Sequence, residues 1–332
     1  MSAKKYKIAY IILYFGNLPN TFPLFLKSCR FNPTIDWYIF TDDERDFDYP
    51  PNVKVTYISF ADMVKYMQRS YDFEIKIEYP YKLCDFKPAY GEIFVEYLQE
   101  YDFWGHCDLD IIWGDIRRFI TDDILSTYDK IGFQGHSTLY RNTYDNNRIY
   151  RVSIEEIADY KTVFSSSEHY AFDEKPITEY YNVLGIEQYT EVIFAHPSAL
   201  HYNIYLKYLP AEDEYKNKYQ VLEWNKGRLF RVYYSDKAIG RDEFMYYHIF
   251  KRKMKTDDNI DDRFLILHHS IRCFKRIDGK YLKQHNKNNM FLYYLEFICG
   301  NMKKLRIGNI KHIIYAFKQR WRIKKELKDR IK

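Results

Sequence analysis

Asp108 and Asp110 stand two residues apart inside an otherwise apolar run, with FWGHC (103–107) before them and IIWG (111–114) after. In an extended segment residues i and i+2 project to the same side, so the two carboxylates share a face. Like charges held together among apolar neighbours are costly unless a cation neutralises them. A hard divalent ion that takes oxygen ligands is the natural partner. The spacing alone is not selective, because Asp46 and Asp48 repeat it in a charged loop. The apolar flanks single out Asp108 and Asp110, and a strand-end pair hydrogen-bonded to neighbouring loops is the bland alternative.

The elements that must position this pair are readable on either side of it. KIAYIILY (7–14) is a nearly continuous apolar run of strand length, followed by the turn-rich FGNLPNTFP and an amphipathic stretch to Arg30. That is the pattern of a buried parallel strand entering a helix. WYIF (37–40) followed by TDDE repeats it, and VKVTYISF (53–60) supplies a third strand before the helical ADMVKYMQRS. Alternating strands and helices predict a doubly wound α/β sheet, whose ligands sit beyond the carboxyl ends of the strands. Tyr14, Phe15 and Asn17 after the first strand, with Thr41 and Asp42 after the second, are thereby placed at the expected ligand site. No GxGxxG follows the first strand, which counts against a dinucleotide cofactor.

Further along, residues 81–100 read as one long helix that Pro88 starts, kinks or interrupts. A helix over 122–128, a strand over 130–135, a polar loop and a helix over 153–164 follow, and 165–227 is irregular. Residues 228–234 and 263–269 read as strands, with a helix over 243–254 between them. On that helix His248 would share a face with Lys251 and Arg252 at i+3 and i+4, offering an imidazole and two cations to a diphosphate. Residues 1–275 are expected to form one domain and 276–332 a basic helical extension.

Composition narrows the function classes. The 35 Tyr, 24 Phe and 5 Trp suit sugar-binding platforms but suit a core equally. The net charge of +5 conceals a split, since 302–332 carries twelve Lys or Arg against Glu326 and Asp329. The body is therefore mildly acidic, which argues against a nucleic-acid partner. In the tail Ile310, Ile313, Ile314, Phe317 and Trp321 recur at helical spacing among basic residues. Such a helix suits peripheral contact with an anionic membrane face, or it packs on the domain. Five scattered cysteines without a CxxC pair fit a reducing compartment. With neither a spanning run nor a complete signal peptide, a cytoplasmic location is expected, at the inner face of a membrane if the tail binds there.

KLCDFKPAYGEIFVEYLQEYDFWGHCDLDIIWGDIRRFI (82–120) resembles the donor-site block of GT-A glycosyltransferases. More specifically, IILYFGNLPN, IFTDD, KLCDFKPAYG through DLDIIWGD, GHSTLYRN and HIFKRKM are similar to a bacterial family of glycosyltransferase-like proteins linked to surface-polysaccharide genes. The likeness spans most of 7–275. It implies a GT-A type, Rossmann-like mixed sheet flanked by helices. The implied reaction moves a hexosyl group from a nucleotide-sugar donor, a UDP-sugar favoured, to a glycan or lipid-linked glycan. It also implies that Asp108 and Asp110 ligate Mn2+ or Mg2+ with a carboxyl-terminal histidine, for which His248 is the candidate and His268 and His269 are rivals. Lys82 and Lys87 are expected at donor phosphates, Asp85 at sugar or ribose hydroxyls, and Tyr14, Phe15, Asn17, Thr41 and Asp42 at the nucleoside. Asp173 and Glu174, in the irregular region where acceptor loops are expected, are the candidates for catalysis. His136, with Glu223 beside Trp224, is assigned to the acceptor. A sugar-phosphate nucleotidyltransferase and a non-catalytic carbohydrate-binding protein are the competing readings.

Overall fold

A computed structural model describes residues 6–285 except 156, 198–203, 205, 210–218, 236 and 251. Of the predicted extension 276–332, residues 276–285 are described, with a helix over Gly279–His285; the rest of it and its membrane contact lie outside the described residues, as does Lys251. The mixed α/β architecture is built on two sheets. In the first, β1 (Ile8–Tyr14), β2 (Ile35–Thr41), β3 (Val53–Tyr57) and β4 (Phe103–Cys107) are parallel, in the order β3-β2-β1-β4. A short strand, β5 (Ile111–Trp113), follows β4 outside this sheet. The hairpin of β6 (Lys130–Gln134) and β7 (Ser137–Arg141) extends the first sheet antiparallel beyond β4, and β8 (Gln188–Tyr189) closes its edge.

The second sheet contains β9 (Gln220–Asn225), β10 (Arg228–Ser235), β11 (Ala238–Phe244), β13 (Lys255–Thr256), β14 (Arg263–Ile266) and β15 (Ser270–Cys273). Between β11 and β13, β12 (Tyr246–His248) leaves that sheet to pair with β5, setting His248 opposite Ile111.

Alternation along β1 explains how the first sheet is covered. Ala9 and Ile11 face one apolar core, and Ile8, Tyr10 and Ile12 face another, all of them buried. A strand buried on both faces must be apolar throughout, which is why KIAYIILY lacks period-two polarity. Helix α1 (Phe22–Arg30) lays Phe22, Phe25, Leu26 and Cys29 on the second core, starts with a proline in its first turn, and ends with Lys27 and Arg30 at its negative pole. Helix α2 (Phe60–Gln68) is capped by the Ser59 side chain, which accepts from the Asp62 amide.

Five expectations of local structure fail, one of them the irregular reading of 165–227, where a helix forms over Lys175–Val183 and strands β8 and β9 follow. Residues 81–100 are a 3-10 stretch, Pro80–Ala89, followed by two single-turn helices, Tyr90–Ile93 and Val95–Leu98. Pro88 lacks the amide that a continuous α-helix needs. Residues 243–254 are not helical: Phe244, Tyr246 and Tyr247 belong to β11 and β12. Aromatic residues suit a pleated surface, and pairing with β5 decides the matter. The polar segment after Gly135 is β7, and most of 153–164 is irregular, with helix only over Tyr160–Phe164. No helix among the described residues is long and apolar enough to cross a membrane.

Candidate functional site

A cavity of about 800 Å³ opens at the carboxyl ends of β1 and β4. Asp108 and Asp110 enter it from the turn between β4 and β5, while Leu109 between them is buried in the second core. Backbone bonds fix that turn from two sides. The Asp108 amide donates to the His136 carbonyl (3.0 Å), and the Ile249 amide donates to the Asp110 carbonyl (2.8 Å). The second bond seats β12, so His248 Nε2 comes 3.2 Å from Asp110 Oδ1 and 3.9 Å from Asp108 Oδ2. One ligating atom from each of the three lies within 4.8 Å of the others. Burial raises the Asp110 carboxyl, but the charge and hydrogen bond of His248 outweigh it and hold Asp110 below its ordinary value.

Lys87 arrives from the 3-10 stretch and is buried. Its ammonium donates to Asp108 Oδ1 (2.8 Å) and the Gly135 carbonyl (2.7 Å), and pairs with Asp173 at 3.1 Å. Burial opposes its charge, yet the carboxylates of Asp108 and Asp173 and the nearby Cys84 hold its pKa well above the ordinary lysine value. Asp173 is also buried, which pushes its carboxyl up to about 6 despite Lys87. Glu174 is exposed on the cavity rim.

Tyr14 and Phe15 form the wall after β1, where Phe15 meets Phe60 edge to face. The residues expected beside them act differently. Asp42 accepts the Gly16 amide (2.7 Å), and Thr41 is fully buried with its hydroxyl accepting the Asp43 amide. Asn17 contributes its carbonyl to the Tyr14 hydroxyl at 3.2 Å. These three support the loop after β1, where Gly16 takes a φ of +96° suited to glycine, and none of them lines the cavity.

Lys82 and Asp85 are likewise displaced from their expected role. They form a fully buried 2.9 Å ion pair. Lys82 also donates to the carbonyls of Val163 (2.8 Å) and Glu168 (2.5 Å), while Asp85 accepts the amides of Tyr170 and Phe172. The pair therefore anchors the chain immediately before Asp173.

Glu223 and Trp224 lie on β9, in the second sheet, and are absent from the cavity lining. Glu223 is buried between Arg241 and Arg263, and Trp224 stacks on Phe264 and donates to the Trp113 carbonyl at 2.7 Å. An aromatic beside an acid is here a core residue beside a buried ion network. His268 and His269 pack against one another and do not line the cavity either.

Arg252 and His136 do line it. Because His248 sits on a strand, no shared helical face relates it to Arg252. His196 was missed by sequence reasoning. It sits in the segment that the Ala195 amide ties to the Tyr246 carbonyl (2.8 Å), and its Nδ1 lies 3.0 Å from His248 Nδ1. Burial, with the charges of His248 and Lys207, lowers His196 to about 3, and burial holds His136 well below the ordinary histidine value. The irregular reading of 165–227 carried no signal that could have found His196.

The arrangement is thus a mixed α/β protein with a cavity at its strand ends where two aspartates and a histidine converge beside a buried lysine. The chain belongs to a family of unknown function, DUF6625, whose model matches residues 10–275. No curated protein matches it. Solved structures similar to this chain include mouse xyloside xylosyltransferase 1 in its apo form, with 9% identity, a TM-score of 0.35, and coverage of 57% of this chain and 87% of that one. Another is the galactosyltransferase LgtC in complex with donor and acceptor sugar analogues, with 10% identity, a TM-score of 0.32, and coverage of 57% and 76%.

Proposed function

We propose that this protein is a metal-dependent glycosyltransferase of the GT-A type, moving a hexosyl group from a nucleotide-sugar donor, a UDP-sugar first among them, to a glycan or lipid-linked glycan acceptor. The observation that carries the reading is the convergence of Asp108, Asp110 and His248 beside Lys87 in one cavity. Two carboxylate oxygens and an imidazole nitrogen fit Mn2+ or Mg2+. A cation held there would neutralise the donor diphosphate and the charge on the departing nucleoside diphosphate.

The chain's own residues divide the remaining work. Tyr14 and Phe15 give the nucleoside an apolar wall at the end of β1. Lys87 and Arg252 supply positive charge to the phosphate region. Asp173, paired with the same Lys87 nitrogen as Asp108, is the carboxylate for taking the acceptor proton or flanking the anomeric carbon. The sequence resemblance to surface-polysaccharide glycosyltransferases supports a place for this transfer at the cytoplasmic face of a membrane.

Isothermal titration with UDP and GDP, with and without Mn2+, tests this on the wild type and on Asp110→Asn. Metal-dependent binding that the variant loses is the expected result. Absence of nucleoside diphosphate binding under every metal condition overturns the transferase reading.

A further inference from the structure

His248 presents a different nitrogen to each of two clusters. Nε2 faces Asp110 at 3.2 Å, whereas Nδ1 lies 3.0 Å from Nδ1 of His196. His136 completes the second cluster. One ligating atom from each of the three imidazoles lies within 4.8 Å of the others, and all three side chains are buried. His136 Nδ1 is 2.9 Å from the Tyr246 hydroxyl, and its buried Nε2 has no hydrogen-bond partner. Buried polar atoms are normally satisfied, so an orphan nitrogen beside two further imidazoles points to a missing ligand.

We propose that His136, His196 and His248 form a second cation site, suited to a borderline ion such as Zn2+, whose filling excludes a hard ion from Asp108 and Asp110. Three nitrogens suit Zn2+, while a carboxylate-rich set suits Mn2+ or Mg2+. Zn–N bonds of about 2.0–2.1 Å at the tetrahedral angle place ligating nitrogens about 3.4 Å apart. The His196–His248 pair is within a few tenths of that separation, and His136 offers a nitrogen within 4.8 Å of a ligating atom on each of the other two rings.

Exclusion follows from the chemistry of one ring. A neutral imidazole has a single available lone pair, on whichever nitrogen lacks the proton. With an ion on Nδ1, the proton of His248 resides on Nε2 and is donated to Asp110. With an ion on Nε2, the proton resides on Nδ1 and is donated to His196. The two sites therefore compete for His248, and the identity of the available cation sets whether the carboxylates can hold theirs. This regulatory consequence rests on the metal-dependent reading above; the three-histidine site itself does not.

The test uses the full chain, with Co2+ absorption reporting the nitrogen site and Mn2+ paramagnetic resonance reporting the carboxylate site. Co2+ is expected to give the intense visible bands of a four-coordinate, nitrogen-rich centre, and one equivalent of Zn2+ is expected to bleach them and release bound Mn2+. His136→Phe should raise the Zn2+ dissociation constant more than about 100-fold, beyond the 10–100-fold usual for an outer-shell change, and leave that of Mn2+ within about threefold. Asp110→Asn should do the reverse, weakening Mn2+ more than about 100-fold while Zn2+ loses no more than the roughly 10–100-fold of a changed outer-shell partner. If His136→Phe does not give a folded circular dichroism spectrum, His196→Asn takes its place with the same expected loss of Zn2+ affinity. Zn2+ affinity unchanged in the histidine variant, or weakened more by Asp110→Asn than by the histidine variant, overturns the proposal. A wild type that binds Zn2+ but neither Mn2+ nor nucleoside diphosphate sinks the transferase reading and the exclusion that rests on it and leaves the three-histidine site standing, because no carboxylate ligates the Zn2+ ion.

Discussion

The ammonium of Lys87 lies 3.1 Å from the carboxyl of Asp173, and the same nitrogen lies 2.8 Å from Asp108. One buried cation thus joins the acid proposed for chemistry to an acid proposed for metal binding. It does not fully offset the burial of Asp173, whose carboxyl titrates at about 6.

That displacement has a sign in stability. An unfolded aspartate titrates at about 3.9, so between about pH 4 and 6 the native state of this group binds more proton than the unfolded state. The stability that Asp173 contributes in its protonated form is present below that window and is lost as pH rises through 6. The loss is on the order of 3 kcal/mol at most. Asp173→Asn should remove this slope, leaving the variant more stable relative to wild type at pH 7.5 than at pH 4.5. Urea denaturation of both proteins at the two pH values measures it, and an equal difference at both values contradicts the prediction.

Lys82 and Asp85 give a prediction of the opposite kind, because their pairing is structural. Lys82→Met leaves Asp85 buried without its cation and should cost about 3–5 kcal/mol in urea denaturation. The fraction that remains folded should bind Mn2+ and nucleoside diphosphate as the wild type does. Weakened nucleotide binding at unchanged stability would return Lys82 to the donor site.

How far the sequence reached is clearest at these two lysines. Both precede the DxD turn and both are basic, and nothing in their spacing says that Lys87 enters the cavity while Lys82 turns into the core. The difference is made by contacts with Val163, Glu168 and Gly135, some fifty to ninety positions away. Strand β1 was legible because burial on both faces forces a continuous apolar run, and Asp108 and Asp110 were legible because they break the one that β4 and β5 make. His248 was singled out by resemblance, but its strand was not foreseen, since the aromatic run of β12 is settled by pairing with β5. His196 had no local signal; it acquires meaning only from the position of β12.

Gly135 tests how tightly Asp173 is held. A Cβ at this position would come 2.3 Å from Asp173 Oδ2 and 2.8 Å from its Cγ. Asp173 has little room to retreat, since it is buried and tied to Lys87. Gly135→Ala should therefore shift the carboxyl and lower kcat for sugar transfer by about 100-fold, the scale of a misplacement near 1 Å. Mn2+ binding at Asp108 and Asp110 should stay close to wild type. A variant with full kcat would show that the position of Asp173 does not matter to the reaction.

Trp224 separates a core role from an acceptor role most directly. Its side chain is fully buried, with Phe264 stacked at 5.0 Å and Phe31 edge-on at 5.1 Å. Its indole nitrogen donates to the carbonyl of Trp113, on the strand that follows the DxD turn. Trp224→Ala removes both the packing and the hydrogen bond and should cost about 3–5 kcal/mol. Trp224→Phe keeps a ring but leaves the Trp113 carbonyl without this donor, for a smaller cost of about 1–3 kcal/mol. Urea denaturation should rank the two in that order, because the loss scales with the buried volume removed. An acceptor platform would give the opposite pattern, with stability nearly unchanged and the acceptor KM raised in both variants.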